Sequence, residues 1–158
     1  NIDNEIMYRG VITVDRPECT VFYCDDSSVA RKQIERTLVA MGVKGMPAVN
    51  GRQMWEEMEK VANYAQSIGK PASSIINLVL TDIEMPEMDG HRLTKLIKDD
   101  EHLKKIPVII FSSLINEQMR QKGKELGADE QLSKPEIGHL ITVMDELLAR
   151  FKKQYSQQ

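Results

Sequence analysis

Short apolar runs and longer apolar stripes alternate along this chain. Thr20-Val21-Phe22-Tyr23-Cys24 is an uninterrupted apolar run stopped by two aspartates, the profile of a strand buried on both faces. Behind it Ala30, Ile34, Leu38 and Met41 recur at helical spacing, which predicts a helix ended by Gly42. A short strand is expected near Met46 to Val49. The next helix carries Met54, Met58, Val61, Ala62 and Ala65 on one stripe, and Gly69-Lys70-Pro71 closes it. Ile75 to Leu80 reads as a third strand ending at Thr81-Asp82, and Leu93, Leu96 and Ile97 mark a third helix. Pro107 to Phe111 reads as a fourth strand ending at Ser112-Ser113. A weaker, polar helix over Asn116 to Leu126 and a brief strand near Glu130 to Leu132 follow. The last helix is the clearest, with Ile137, Leu140, Ile141, Met144, Leu147, Leu148 and Phe151 on one face.

Strand and helix thus alternate five times, which predicts an α/β domain with a parallel sheet and helices on both faces. Composition agrees with one folded domain. Of 158 residues, 41% are hydrophobic and 28% charged, and the net charge of -3 offers nucleic acid no electrostatic attraction. No apolar run approaches the roughly 18–20 residues that span a bilayer, and no signal-peptide pattern opens the chain, so no membrane insertion is expected. The chain begins with Asn1, as an excised piece of a longer protein would. Cys19 and Cys24 are five positions apart in one extended segment and so point to opposite faces. They read as reduced thiols of a cytoplasmic protein.

Ligands of an open parallel sheet bind outside the carboxyl ends of its strands. The first apolar run ends in Asp25-Asp26, the third in Asp82, the fourth in Ser112-Ser113 and the fifth in Ser133-Lys134-Pro135. Each has an ordinary reading: Asp25, Asp26 and Ser27 as helix caps, Asp82 as a turn residue before Pro86, Ser112 as a cap, Lys134 as a solvated lysine. Together they place three carboxylates, hydroxyls and an ammonium on one rim. Two carboxylates 5 Å apart repel by roughly 3 kcal/mol at an effective dielectric of 20, so three tend to hold a proton or recruit a cation. Oxygen ligands without His or Cys suit Mg²⁺, which leaves room for a substrate phosphate. A lysine and a serine beside them would stabilise an incoming phosphoryl group, and a carboxylate can accept it. His91, His102 and His139 are scattered, and none falls on the rim.

Asp25-Asp26-Ser27, then Thr81 to Gly90 (TDIEMPEMDG), then Ser112-Ser113, then Lys134-Pro135, resembles the receiver domain of two-component response regulators. The resemblance covers residues 19–152 and implies a flavodoxin-like fold with five parallel strands in order 2-1-3-4-5. It implies that Asp82 is the phosphoacceptor for a histidine kinase. Asp25, Asp26, Asp82 and the backbone carbonyl of Glu84 would hold Mg²⁺. Ser112 would be the switch hydroxyl and Lys134 the phosphoryl-binding lysine, with a Lys134-Pro135 bond that is often cis. Such a domain is a signalling module rather than an enzyme, its chemistry confined to its own phosphorylation and dephosphorylation.

More narrowly, Asp25 to Glu35 and Asp82 to Gly90 are similar to the receivers of CheV-type chemotaxis coupling proteins. That implies a chemotaxis kinase, an attached CheW-like domain and a receptor array as partners. Residues 1–18 would then be a linker or the tail of the upstream domain, and 153–158 a polar tail that frays. Two departures stand out. Gln131 occupies the place of the usual switch aromatic, and Leu114, flanking the water path with Glu84, is apolar. Of the competing readings, a haloacid-dehalogenase-type phosphatase would need its nucleophile after the first strand with a second Asp two residues on, and Ser27 stands there. A receiver cut from a transcriptional regulator would carry its surplus sequence at the other end.

Overall fold

The computed structural model describes residues 19–113 and 115–156, with side chains as far as Arg150. Residues 1–18 and Leu114 lie outside the described residues, as do the linker reading and the Leu114 departure that fall on them.

Five strands form one parallel sheet in the order β2-β1-β3-β4-β5: β1 Thr20–Cys24, β2 Lys44–Ala48, β3 Leu78–Thr81, β4 Val108–Ser112 and β5 Glu130–Ser133. Between and after them run α1 Ser28–Ala40, α2 Gly51–Ser67, α3 Gly90–Asp99, α4 Glu117–Leu126 and α5 Ile137–Ser156. The expected fold and strand order are both present. Successive side chains of a strand face opposite ways, so the sheet feeds two cores. Val21, Tyr23, Leu80, Ile109 and Phe111 pack against α1 and α5 through Ile34, Leu38, Leu140 and Met144. Phe22, Cys24, Val79 and Val108 pack against α2 and α3 through Met54, Met58, Leu93 and Ile97. Cys19 and Cys24 are buried in opposite cores rather than joined in a disulfide, as alternation requires.

Two strand starts differ from the sequence reading by two residues or more. The second strand begins earlier, at Lys44, because Val43 N–H returns to the Leu38 carbonyl and ends α1 abruptly. The third begins later, at Leu78. Ala72–Ser74 coil into a 3₁₀ turn, and buried Asn77 accepts from Thr20 N–H at 2.7 Å and donates to the Ser73 carbonyl at 3.0 Å. Apolar Ile75 and Ile76 therefore belong to a corner whose polar groups are satisfied by a side chain, not to the ladder.

The register aligns the strand ends. Cys24 lies opposite Thr81 across β1 and β3, Thr81 opposite Ile110, and Ser112 opposite Ser133. Helix α1 leaves the β1 end toward one face of the sheet and α3 leaves the β3 end toward the other, so a crevice opens at their carboxyl ends.

Candidate functional site

Asp25 and Asp82 are the first residues past two paired strands, and Asp82 N–H donates to the Cys24 carbonyl at 3.0 Å. Carboxylate oxygens of Asp25, Asp26 and Asp82 all come within 4.8 Å of one another. They differ in exposure: Asp25 is 1% accessible and Asp82 6%, while Asp26 is exposed. Among the described residues this trio is the one acidic or metal-ligating group of its kind. Its donor set, carboxylate oxygens with no His or Cys, fits a hard divalent cation.

Lys134 closes the cluster. Its N–H donates to the Ser112 carbonyl at 3.0 Å, and its Nζ reaches Asp25 Oδ2 at 2.9 Å and Asp82 Oδ2 at 3.2 Å. The other Asp82 oxygen, Oδ1, accepts from Ile83 N–H at 2.8 Å. The Lys134-Pro135 bond is trans, against expectation; the ammonium aims inward through the Ser112 bond and the two acids instead. Burial is the largest influence on Asp25 and pushes its carboxyl above the usual range, despite Lys134 and the Ser27 N–H. Burial also works to lower Lys134, but Asp25 and Asp82 together carry it above the ordinary lysine value. The ammonium is thus well served by the two acids it touches.

The cluster borders an open cleft of about 430 Å³ whose walls include Asp26, Asp82, Glu84, Met85, Ser112 and Lys134. Asp25, Asp26, Asp82, Ser112 and Lys134 are therefore brought together at the rim, with Glu84 in the cleft wall. The ordinary cap reading holds for Ser27, the N-cap of α1; Asp89 caps α3 and Asn116 caps α4. His91 is buried at the start of α3, away from the cleft. Burial, above all, lowers its pKa, and Nε2 has no hydrogen-bond partner among the described residues. Cys24 is held as the thiol, its pKa pushed up to about 12 chiefly by burial, and it donates to Met85 Sδ at 3.2 Å.

Several contacts escaped sequence reasoning. Gly90 packs directly under Asp82: a Cβ there would run into the Asp82 carbonyl oxygen. The conspicuous Asp-Gly pair was the available signal. Glu87 adopts φ 71° in a tight turn closed by Met88 N–H on the Pro86 carbonyl, with Arg52 Nη1 3.5 Å from its carboxylate. Gln131, in place of an aromatic, is buried against α4. Its Nε2 donates to the Arg120 carbonyl at 2.8 Å, Arg120 Nη1 donates back to the Gln131 carbonyl at 3.2 Å, and Gly123 leaves room for the carboxamide.

Comparison with known proteins agrees with this geometry. A family model described as the response regulator receiver domain matches residues 21–145. The two-component response regulator ARR7 of Arabidopsis thaliana is 35% identical over 83% of this chain and 63% of its own length. The chemotaxis protein CheV3 of Helicobacter pylori is 30% identical over 76% of this chain and 38% of its own. The chain therefore spans less than two thirds of these relatives. The receiver domain of the histidine kinase CKI1 from Arabidopsis thaliana, crystallised with Mg²⁺, superposes with a TM-score of 0.73, covering 84% of this chain and 96% of that one. At 22% identity that likeness concerns the fold.

Proposed function

The chain belongs to the response regulator receiver family, and from that premise we propose that it is a phosphorylation switch in which Asp82 accepts a phosphoryl group from a histidine kinase. The observation that carries this reading is the convergence of Asp25, Asp26 and Asp82 within 4.8 Å, with the Lys134 ammonium bridging two of them beside an open cleft. The Asp82 carboxylate attacks the phosphorus of a phosphohistidine; the O–P bond forms as the P–N bond breaks, and the imidazole leaves with the electron pair. Asp25, Asp26, Asp82 and the Glu84 carbonyl would hold Mg²⁺, which neutralises charge on the transferring group when bound. Lys134, already in contact with Asp82, takes a phosphoryl oxygen, and Ser112 in the cleft wall offers its hydroxyl to another. The chemistry ends at the acyl phosphate and its hydrolysis, so the chain is a signalling module rather than an enzyme with an external substrate.

The likeness to Helicobacter CheV proteins supports a chemotaxis kinase as donor, with an attached CheW-like domain and a receptor array as cytoplasmic partners. The higher identity to a plant response regulator favours a second reading, a receiver serving another output. Faster phosphotransfer from a chemotaxis kinase than from an unrelated histidine kinase supports the first; no preference supports the second.

Beryllofluoride, a phosphoryl mimic, tests the site by ¹⁹F NMR. One equivalent should bind in the presence of Mg²⁺ and none in Asp82→Asn. Sustained turnover of small phosphate esters would point to a phosphatase instead.

A further inference from the structure

Each polar group of Asp25 has a partner. Its N–H donates to the Ala48 carbonyl at 3.2 Å, Oδ1 accepts from Ser27 N–H at 2.9 Å, and Oδ2 faces Lys134 Nζ at 2.9 Å. The fourth partner comes from outside the rim: Arg31 Nη1 donates to the Asp25 main-chain carbonyl at 2.6 Å. Arg31 lies in the first turn of α1, where its own N–H bonds the Ser27 carbonyl. Side chains on a helix lean toward its N-terminus, so a long one at this position reaches back across the corner to the strand end.

We propose that Arg31 is a positioning residue for the cation site, an inference that rests on the reading of the acidic cluster given above. The carbonyl it holds belongs to the peptide unit joining Asp25 to Asp26. That unit is planar, so fixing its oxygen fixes the plane between the two Cα atoms and with it the relative aim of the two carboxylates. A guanidinium-to-carbonyl bond is charge-assisted and stronger than a neutral one. Outer partners of this kind, when removed, typically weaken metal affinity about 10–100-fold.

The sign of the effect separates positioning from mere charge. If Arg31 acted only as a nearby cation, removing it would relieve repulsion and tighten metal binding. If it positions the aspartates, removal loosens binding although the site becomes more negative.

Mg²⁺ alone, titrated calorimetrically at constant ionic strength without any phosphodonor, distinguishes these. Arg31→Met keeps the alkyl stem and loses the donors, and should bind Mg²⁺ about tenfold more weakly than wild type. Arg31→Lys, which restores one cationic donor, should recover most of that loss. A folded Arg31→Met chain that binds Mg²⁺ as tightly as wild type, or more tightly, overturns the inference. An Arg31→Met chain that does not fold also overturns it, by assigning the bond to fold stability. A wild type that binds no Mg²⁺ overturns the reading of the cluster itself, and the inference with it.

Discussion

Asp25 and Asp26 are adjacent in the chain yet live in different surroundings, one buried under Lys134 and the other in solvent. The raised Asp25 carboxyl has a consequence for stability in the absence of divalent cations. An acid whose folded pKa lies above its unfolded one contributes stability in full below the unfolded value and loses it as pH rises through the folded value. Metal-free protein should therefore lose stability at Asp25 as pH rises through and above the carboxylate range. Asp25→Asn should melt higher than wild type at neutral pH without Mg²⁺, with the gap closing in acid, as read by thermal denaturation. Added Mg²⁺ should reverse the order. At this scale the chemistry was legible because Asp, Ser and Lys at strand ends are recognisable from neighbours in sequence. What was not legible is which aspartate is buried, or that Lys134 pairs with Asp25 as well as Asp82, because both depend on distances across strands.

Helix α3 and strand β3 meet at a point with no spare room, the contact of Gly90 with the Asp82 carbonyl. A methyl at Gly90 must displace either Asp82 or the start of the helix. Overpacking of this kind costs about 1–3 kcal/mol, and the opposing atom is backbone rather than a yielding side-chain tip. Gly90→Ala should therefore unfold at lower denaturant by about that amount and bind beryllofluoride more weakly, whereas an alanine in an open helix position would do neither. The elements themselves were largely readable from periodicity. The buried strands β1 and β4 and the amphipathic α5 came through because their patterns are long or uninterrupted. The boundary of β3 did not, since Asn77 satisfies the corner with a side chain that no apolar pattern reports. Polar α4 buries only Gly123, so its apolar pattern is weak, and its tie to β5 runs through Gln131 and Arg120.

At the scale of the whole molecule, the site is a product of topology. Parallel strands in the order 2-1-3-4-5 bring the ends of β1 and β3 side by side while their helices depart to opposite faces. Alternation along the chain predicts the parallel sheet; the strand order followed from the resemblance carried by the rim residues, since pairing between distant strands leaves no local pattern. Two buried carboxylates, a third in solvent and one ammonium form a cluster suited to a cation and an incoming phosphoryl group. The most direct test is intact mass after exposure to acetyl phosphate, with and without Mg²⁺, on wild type and Asp82→Asn, under conditions that preserve acyl phosphates. The account predicts a gain of one phosphoryl mass that requires both Mg²⁺ and Asp82. A gain that persists in Asp82→Asn would contradict it, as would folded wild type that takes up neither acetyl-phosphate label nor beryllofluoride.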